Sequence, residues 1–242
     1  MKKHALSGET TWALGTLLMA LGVALVSVSS FGYSMIAAPV YLIFRRLSVL
    51  SFGTVEYLYQ GVLLILLCLL VRRFKPSYLC SFLTAVIYGL VFDLFLMLTA
   101  LLPQANLLPR ILWFCLGELC IGLAVCFYVH TDMAPAVYEL FVKELSSRYH
   151  LPFGSVKLTF DITLCVISVL MSLLLFGPGA LSDPASVPAA MISGYVMEGI
   201  GVGTVVAAVV NGPLITAIDR FLCARFDFEP ARGIGRFLRI RE

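Results

Sequence analysis

The sequence predicts an all-α polytopic membrane protein of about six transmembrane helices, arranged as two inverted three-helix repeats with short connector helices. Three observations carry that reading. Of 242 residues, 60% are apolar and 13% charged, with a mean hydropathy of +0.98, whereas soluble domains carry about 25% charge. Six apolar runs each approach the roughly 20 residues needed to cross a bilayer. Short motifs of the first half also recur in the second.

The runs are Trp12–Ser30, Ser51–Val71, Tyr78–Thr99, Ile111–His130, Ser155–Phe176 and Gly199 to about Phe221. None alternates at period two between aromatic belts, so helices rather than a barrel are expected. Met1-Lys2-Lys3 and the small residues of Ser27–Ser30 give the first run some look of a signal peptide. Its counterpart in the second half favours a retained span. Short connector helices are expected over Ala37–Leu47 and Ala136–Tyr149. In the second, Val137, Leu140, Phe141, Glu144 and Leu145 recur at helical spacing. Gly177–Pro188, rich in Gly, Pro, Ser and Asp, reads as an external loop.

The repeat is faint but ordered. Gly22-Val-Ala24 matches Gly122-Leu-Ala124, Phe52-Gly-Thr-Val55 matches Phe153-Gly-Ser-Val156, and Ala85-Val-Ile-Tyr-Gly89 matches Ala208-Val-Val-Asn-Gly212. The first repeat then spans 1–109, the second 110–224, and a basic tail 225–242. Three spans per half is an odd number, so the second half enters the membrane the opposite way. Lys75, at the start of the third run, pairs by offset with Glu198 at the start of the sixth. Inverted repeats are a recurrent transporter plan, with the route between the halves.

Lysine and arginine set the expected orientation. With six spans, thirteen of the seventeen fall on the side of both termini and only Arg45, Arg46 and Arg110 on the other, Lys157 lying within a span. The positive-inside rule then places both ends in the cytoplasm. The net charge of +3 reflects this bias and points to no nucleic acid. The tail from Arg225 to Glu242 reads as solvated chain, or as a segment for anionic lipid or a partner. The seven cysteines contain no CxxC pair and form no recognised Cys/His metal-ligand motif with the histidines. Free thiols, no metal and no cofactor are expected. Nor is there an HExxH or GxSxG elbow, so an enzyme is not expected.

Gly22…Phe31-Gly32-Tyr33-Ser34, Ser51-Phe-Gly-Thr54 and Tyr88-Gly-Leu-Val-Phe-Asp93 resemble the YczE/YitT-like bacterial membrane proteins. Pro152-Phe-Gly154 and Asn211-Gly-Pro213 are similar in spacing, and the resemblance covers most of Gly15–Ile218. It implies a bacterial cytoplasmic-membrane protein with a transport-related role. It supplies no catalytic residue to carry over. Where such proteins often show a Gly-Leu-x-Pro-Trp-like turn, this chain has Gly32-Tyr-Ser-Met.

Ionisable groups inside spans cost about 2.5–3.5 kcal/mol on insertion scales and ask for a reason. Glu56, Asp93 and Glu118 each lie within a few turns of the outer end of their runs. They read as a carboxylate-lined vestibule for a cation, or as acids reaching for the interface. Lys157 and Asp161 stand at salt-bridge spacing. By offset, Glu56 pairs with Lys157 and Gln60 with Asp161, so a two-fold arrangement would bring these four together near Asn211. Asn211-Gly-Pro213 reads as a kink or a break in the sixth run. Gly199, Gly201, Gly203 and Ala207 offer a small-residue face for packing within the subunit or in a dimer.

The function expected from these features is transport of a small polar or cationic solute through the bilayer. The alternative is a substrate-binding or accessory component serving a separate ATPase or enzyme, which Ala20-x3-Ala24 and the small size also suit.

Overall fold

The computed structural model describes residues 4–47, 49–103, 106–177, 195–197 and 199–230. The Lys2-Lys3 pair, most of the expected external loop, Glu198 and the tail beyond residue 230 lie outside the described residues. Among the described residues eight helices are seen: α1 (Gly8–Ser29), α2 (Ala38–Leu47), α3 (Phe52–Val71), α4 (Ser77–Thr99), α5 (Leu107–His130), α6 (Val137–Tyr149), α7 (Phe153–Phe176) and α8 (Val202–Arg225). All but α2 and α6 are long and apolar enough to cross a membrane. Four short strands also lie among the described residues: β1 (His4–Ser7), β2 (Tyr195–Met197), β3 (Ile200–Gly201) and β4 (Phe226–Glu229).

Local chemistry explains several ends. Ser7 caps α1 by accepting from Thr10 N, and Ser51 caps α3 by accepting from Thr54 N. Ser30, Arg72 and His150 close α1, α3 and α6 in the left-handed conformation. β1 pairs in parallel with β4, which ties the start of α1 to the end of α8 on one side of the bundle, the terminal side.

The centre is the antiparallel pair α1–α5. A Cβ on Gly22 would lie 2.8 Å from the Gly117 carbonyl oxygen, and one on Gly117 would lie 2.8 Å from that of Gly22. The backbones can cross this closely only because neither residue has a side chain. At the far end of α1, Arg110 donates to the Ser29 and Ser30 carbonyls and lies over the Phe31 ring. At the terminal end, Tyr128 donates to Thr16.

The element order span, connector, span, span occurs twice, and the packing repeats with it. α4 packs on α1 as α8 packs on α5. Each connector packs within its own half, α2 on α3 and α6 on α7, and also crosses over, α2 to α7 and α6 to α3. The symmetry breaks at one place. α3 and α4 are in tight contact, whereas α7 and α8 barely touch among the described residues.

The repeat-related glycines show the difference. A Cβ on Gly53 would fall 2.0 Å from the Gly89 carbonyl oxygen; at their counterparts, Gly154 and Gly212, it would meet nothing within 4 Å.

On the side away from the termini, the loop after α1 is sewn to the start of α8. Tyr33 N donates to Gly199 O, Gly203 N to Phe31 O, and the Thr204 hydroxyl to Tyr33 O. Gly32, at φ +107°, sits where a Cβ would be 2.5 Å from Gly201 N. At least part of the Gly199–Gly203 stretch thus serves packing within the subunit. α8 itself runs unbroken through Pro213, so the break expected at Asn211–Pro213 is not found. The Thr216 hydroxyl bonds the Gly212 carbonyl in that turn.

Candidate functional site

After α5 ends at His130 on the terminal side, the chain turns back into the bundle. The Ala134 carbonyl is held by Trp12 Nε1 at 3.2 Å and the Thr84 hydroxyl at 3.0 Å. Pro135 follows, and α6 begins two residues later with no side-chain cap of its own. Its first N–H, on Val137, donates to Gln60 Oε1 at 3.0 Å, and Gln60 Nε2 donates to Glu56 Oε1 at 3.2 Å. An orphan donor of one helix is therefore satisfied from another. At about 1.5 Å per residue, Gln60 lies near the middle of α3. The far end of α6 sits at the end of α3, where the Tyr149 hydroxyl donates to Leu70 O and Lys75 pairs with Glu144 at 2.9 Å. α6 thus runs alongside α3 from the middle of that helix to its terminal-side end.

Around that first turn the polar groups gather. Gln60 is fully buried and Glu56 is 3% exposed. The Tyr138 hydroxyl lies beside Glu56. Glu139 stands within electrostatic reach of Glu56 on one side and of Lys157 and Asp161 on the other. Glu139 Oε2 is buried without a hydrogen-bond partner among the described residues. Such atoms are costly unless something else satisfies them. Lys157 and Asp161 pair at 2.6 Å on α7, both partly exposed.

The four residues expected to converge form two hydrogen-bonded pairs, Glu56–Gln60 on α3 and Lys157–Asp161 on α7, with α6 packed against both helices. The remaining three are elsewhere. Asp93 accepts from Gly53 N at 2.7 Å and from the Ser51 hydroxyl at 2.5 Å, so it caps α3 and locks it to α4. Glu118 lies against Asn211 between α5 and α8, with both its oxygens buried. Asn211 is not beside the Glu56 group, because α8 packs on α5 rather than on α3, α6 or α7. Nor do Glu56, Asp93 and Glu118 share a vestibule, since each faces a different neighbour.

Glu139 and Tyr138 escape sequence reasoning because the heptad-like pattern of α6 draws the eye to its apolar face. Pro135 ahead of a short helix is the only local hint of re-entry. A second group is also hidden in the sequence. His130 Nε2 lies 2.6 Å from Asp219 Oδ1 and 3.4 Å from Cys223 Sγ, at the terminal-side ends of α5 and α8. Cys223 thus has a histidine neighbour, brought in from 93 positions away.

No curated protein and no solved structure shows a significant match to the chain. One family model, described as a family of unknown function (DUF6198), matches residues 7–220. That stretch runs from the cap of α1 into the last turns of α8, and the chain belongs to this family, DUF6198.

Proposed function

We propose that this protein is a bacterial cytoplasmic-membrane transporter, with both termini in the cytoplasm, for a small polar or cationic solute, and a relative of the YczE/YitT-like proteins. The observation that carries the reading is the re-entrant first turn of α6, which holds Glu139 and meets Glu56 and Gln60 near the middle of α3. Interrupted or half-length helices meeting polar side chains at the midplane supply ligands in secondary transporters. With Asp161 and Lys157, the group holds three carboxyl groups and one ammonium, a balance that suits a cation.

The unequal halves support alternating access. The α3–α4 seam is closed by Gly53 and Gly89, whereas α7 and α8 stand apart at Gly154 and Gly212, and Lys157 and Asp161 on α7 are partly exposed. In the alternate state the halves exchange roles: Gly154 and Gly212 close while the first seam opens. The test is flux into liposomes by the purified chain, with methylammonium and guanidinium as probes. Glu56→Gln and Asp161→Asn should slow uptake without reducing the amount of folded protein.

One observation favours a second reading. Only 17% and 22% of the residues in the apolar stretches of α7 and α8 are buried, against 56% in those of α1 and α5. A partner subunit seated there would make the chain a substrate-binding component. Absence of flux together with stable copurification of an ATPase would favour it.

A further inference from the structure

We infer that His130, Asp219 and Cys223 form a binding site for a divalent transition metal of the zinc type. The three side chains come from two helix ends. Asp219 and Cys223 are four residues apart on α8 and so share a face, and His130 is the last residue of α5. Their donor atoms are mutually close: Nε2 to Oδ1 at 2.6 Å, Nε2 to Sγ at 3.4 Å and Sγ to Oδ1 at 3.9 Å.

The pattern argues against a catalytic triad. In a Cys-His-Asp relay the carboxylate orients one ring nitrogen while the thiol meets the other. Here carboxylate and thiol converge on the same nitrogen, Nε2. One ring N–H cannot serve both neighbours, whereas one metal ion can take all three. Zinc binds nitrogen at about 2.0–2.1 Å, carboxylate oxygen at about 2.0–2.2 Å and thiolate at about 2.3 Å. Donor atoms around a tetrahedral ion then lie roughly 3.4 Å apart, so only the His130–Asp219 contact must open, by less than about 1 Å.

The donor set is one imidazole, one carboxylate and one thiol, which favours a borderline ion over calcium or magnesium. A thiolate and a carboxylate also neutralise a divalent charge at the rim of an apolar bundle. The ring is already oriented: His130 stacks on Phe228, with centroids 4.3 Å apart and planes 3° from parallel. Phe228 belongs to β4, which β1 holds in place. The His130 and Asp219 side chains keep 25% and 41% of their exposure, so an ion can enter and a water can fill the fourth position. Once bound, the ion would tie the terminal-side ends of α5 and α8 together.

The experiment uses the full chain in detergent, stripped with a chelator and titrated with Co²⁺ as the probe, then with Zn²⁺. The wild type should take up one Co²⁺ with a thiolate-to-cobalt charge-transfer band, and Zn²⁺ should displace it. Cys223→Ser should abolish the band, and His130→Ala and Asp219→Asn should each weaken binding by at least about tenfold. Cys115→Ser, at an exposed cysteine, should change nothing. A wild type with no stoichiometric band overturns the site whatever the variants do, as does a band that persists in Cys223→Ser.

Discussion

A paired substitution at repeat-related glycines, Gly53→Ala and Gly154→Ala, separates packing from function. The two positions correspond in sequence and in helix register, since Phe52 opens α3 and Phe153 opens α7. On Gly53 the new methyl group would sit 2.0 Å from the Gly89 carbonyl oxygen, and 2.7 Å from the Asp93 carboxyl carbon. Ordinary contact needs more than 3 Å, so α3 and α4 must part by about an ångström and loosen the Asp93 cap. Overpacking of this kind costs typically about 1–3 kcal/mol. For a chain of this size that corresponds to a fall of roughly 2–12 °C in Tm. On Gly154 the methyl group meets nothing within 4 Å, and replacing glycine by alanine in a helix gains up to about 1 kcal/mol. Thermal unfolding in detergent, followed by a thiol-reactive dye that reports exposure of buried Cys120 and Cys126, gives both values. Gly154→Ala should be as stable as the parent or more so, yet slow in flux if α7 closes on α8 through that glycine. Equal destabilisation at the two positions would refute the broken symmetry.

Three further outcomes are expected. Gln60→Leu leaves the Val137 N–H and the Glu56 carboxyl without their partner, and should cost about 1–3 kcal/mol, read as lower Tm and faster hydrogen exchange in the first turn of α6. Asp93→Ala removes the acceptor for Gly53 N and the Ser51 hydroxyl; it should lower Tm while leaving the solute preference of any residual flux unchanged, which a vestibule role for Asp93 would not allow. Reporter fusions at Lys75 and Asp183 should read cytoplasmic and external respectively, and the same answer at both would contradict six spans with both ends inside.

Much of the architecture is legible in the sequence because the bilayer restricts it so severely. A run of twenty apolar residues has few alternatives to a spanning helix, and α3, for example, begins one residue from its expected start. The connector helices are legible too, from amphipathic spacing and flanking breakers. Their depth is not. Amphipathicity says that α6 has an apolar face, but only the crossing of the chain through Ala134 and Pro135 puts that face against mid-span α3 rather than at the interface. For the same reason the two-fold pairing of Glu56 with Lys157 is approximated rather than met. α6 packs against both α3 and α7, and its Glu139 has no acidic counterpart in the first connector. The Asn211 assignment fails because offset alone says nothing about which neighbour a helix selects. His130, Asp219 and Cys223 were hidden by distance along the chain; the four-residue spacing of the last two was the one visible trace.

The most direct measurement is time-resolved uptake of methylammonium and guanidinium into liposomes containing the purified wild type, Glu56→Gln, Glu139→Gln or Asp161→Asn, at matched amounts of folded protein. Saturable uptake by the wild type, slowed in all three variants, is the predicted result. Uptake that persists unchanged in every variant, or a wild type no faster than protein-free liposomes, would contradict a transport route through the re-entrant turn of α6.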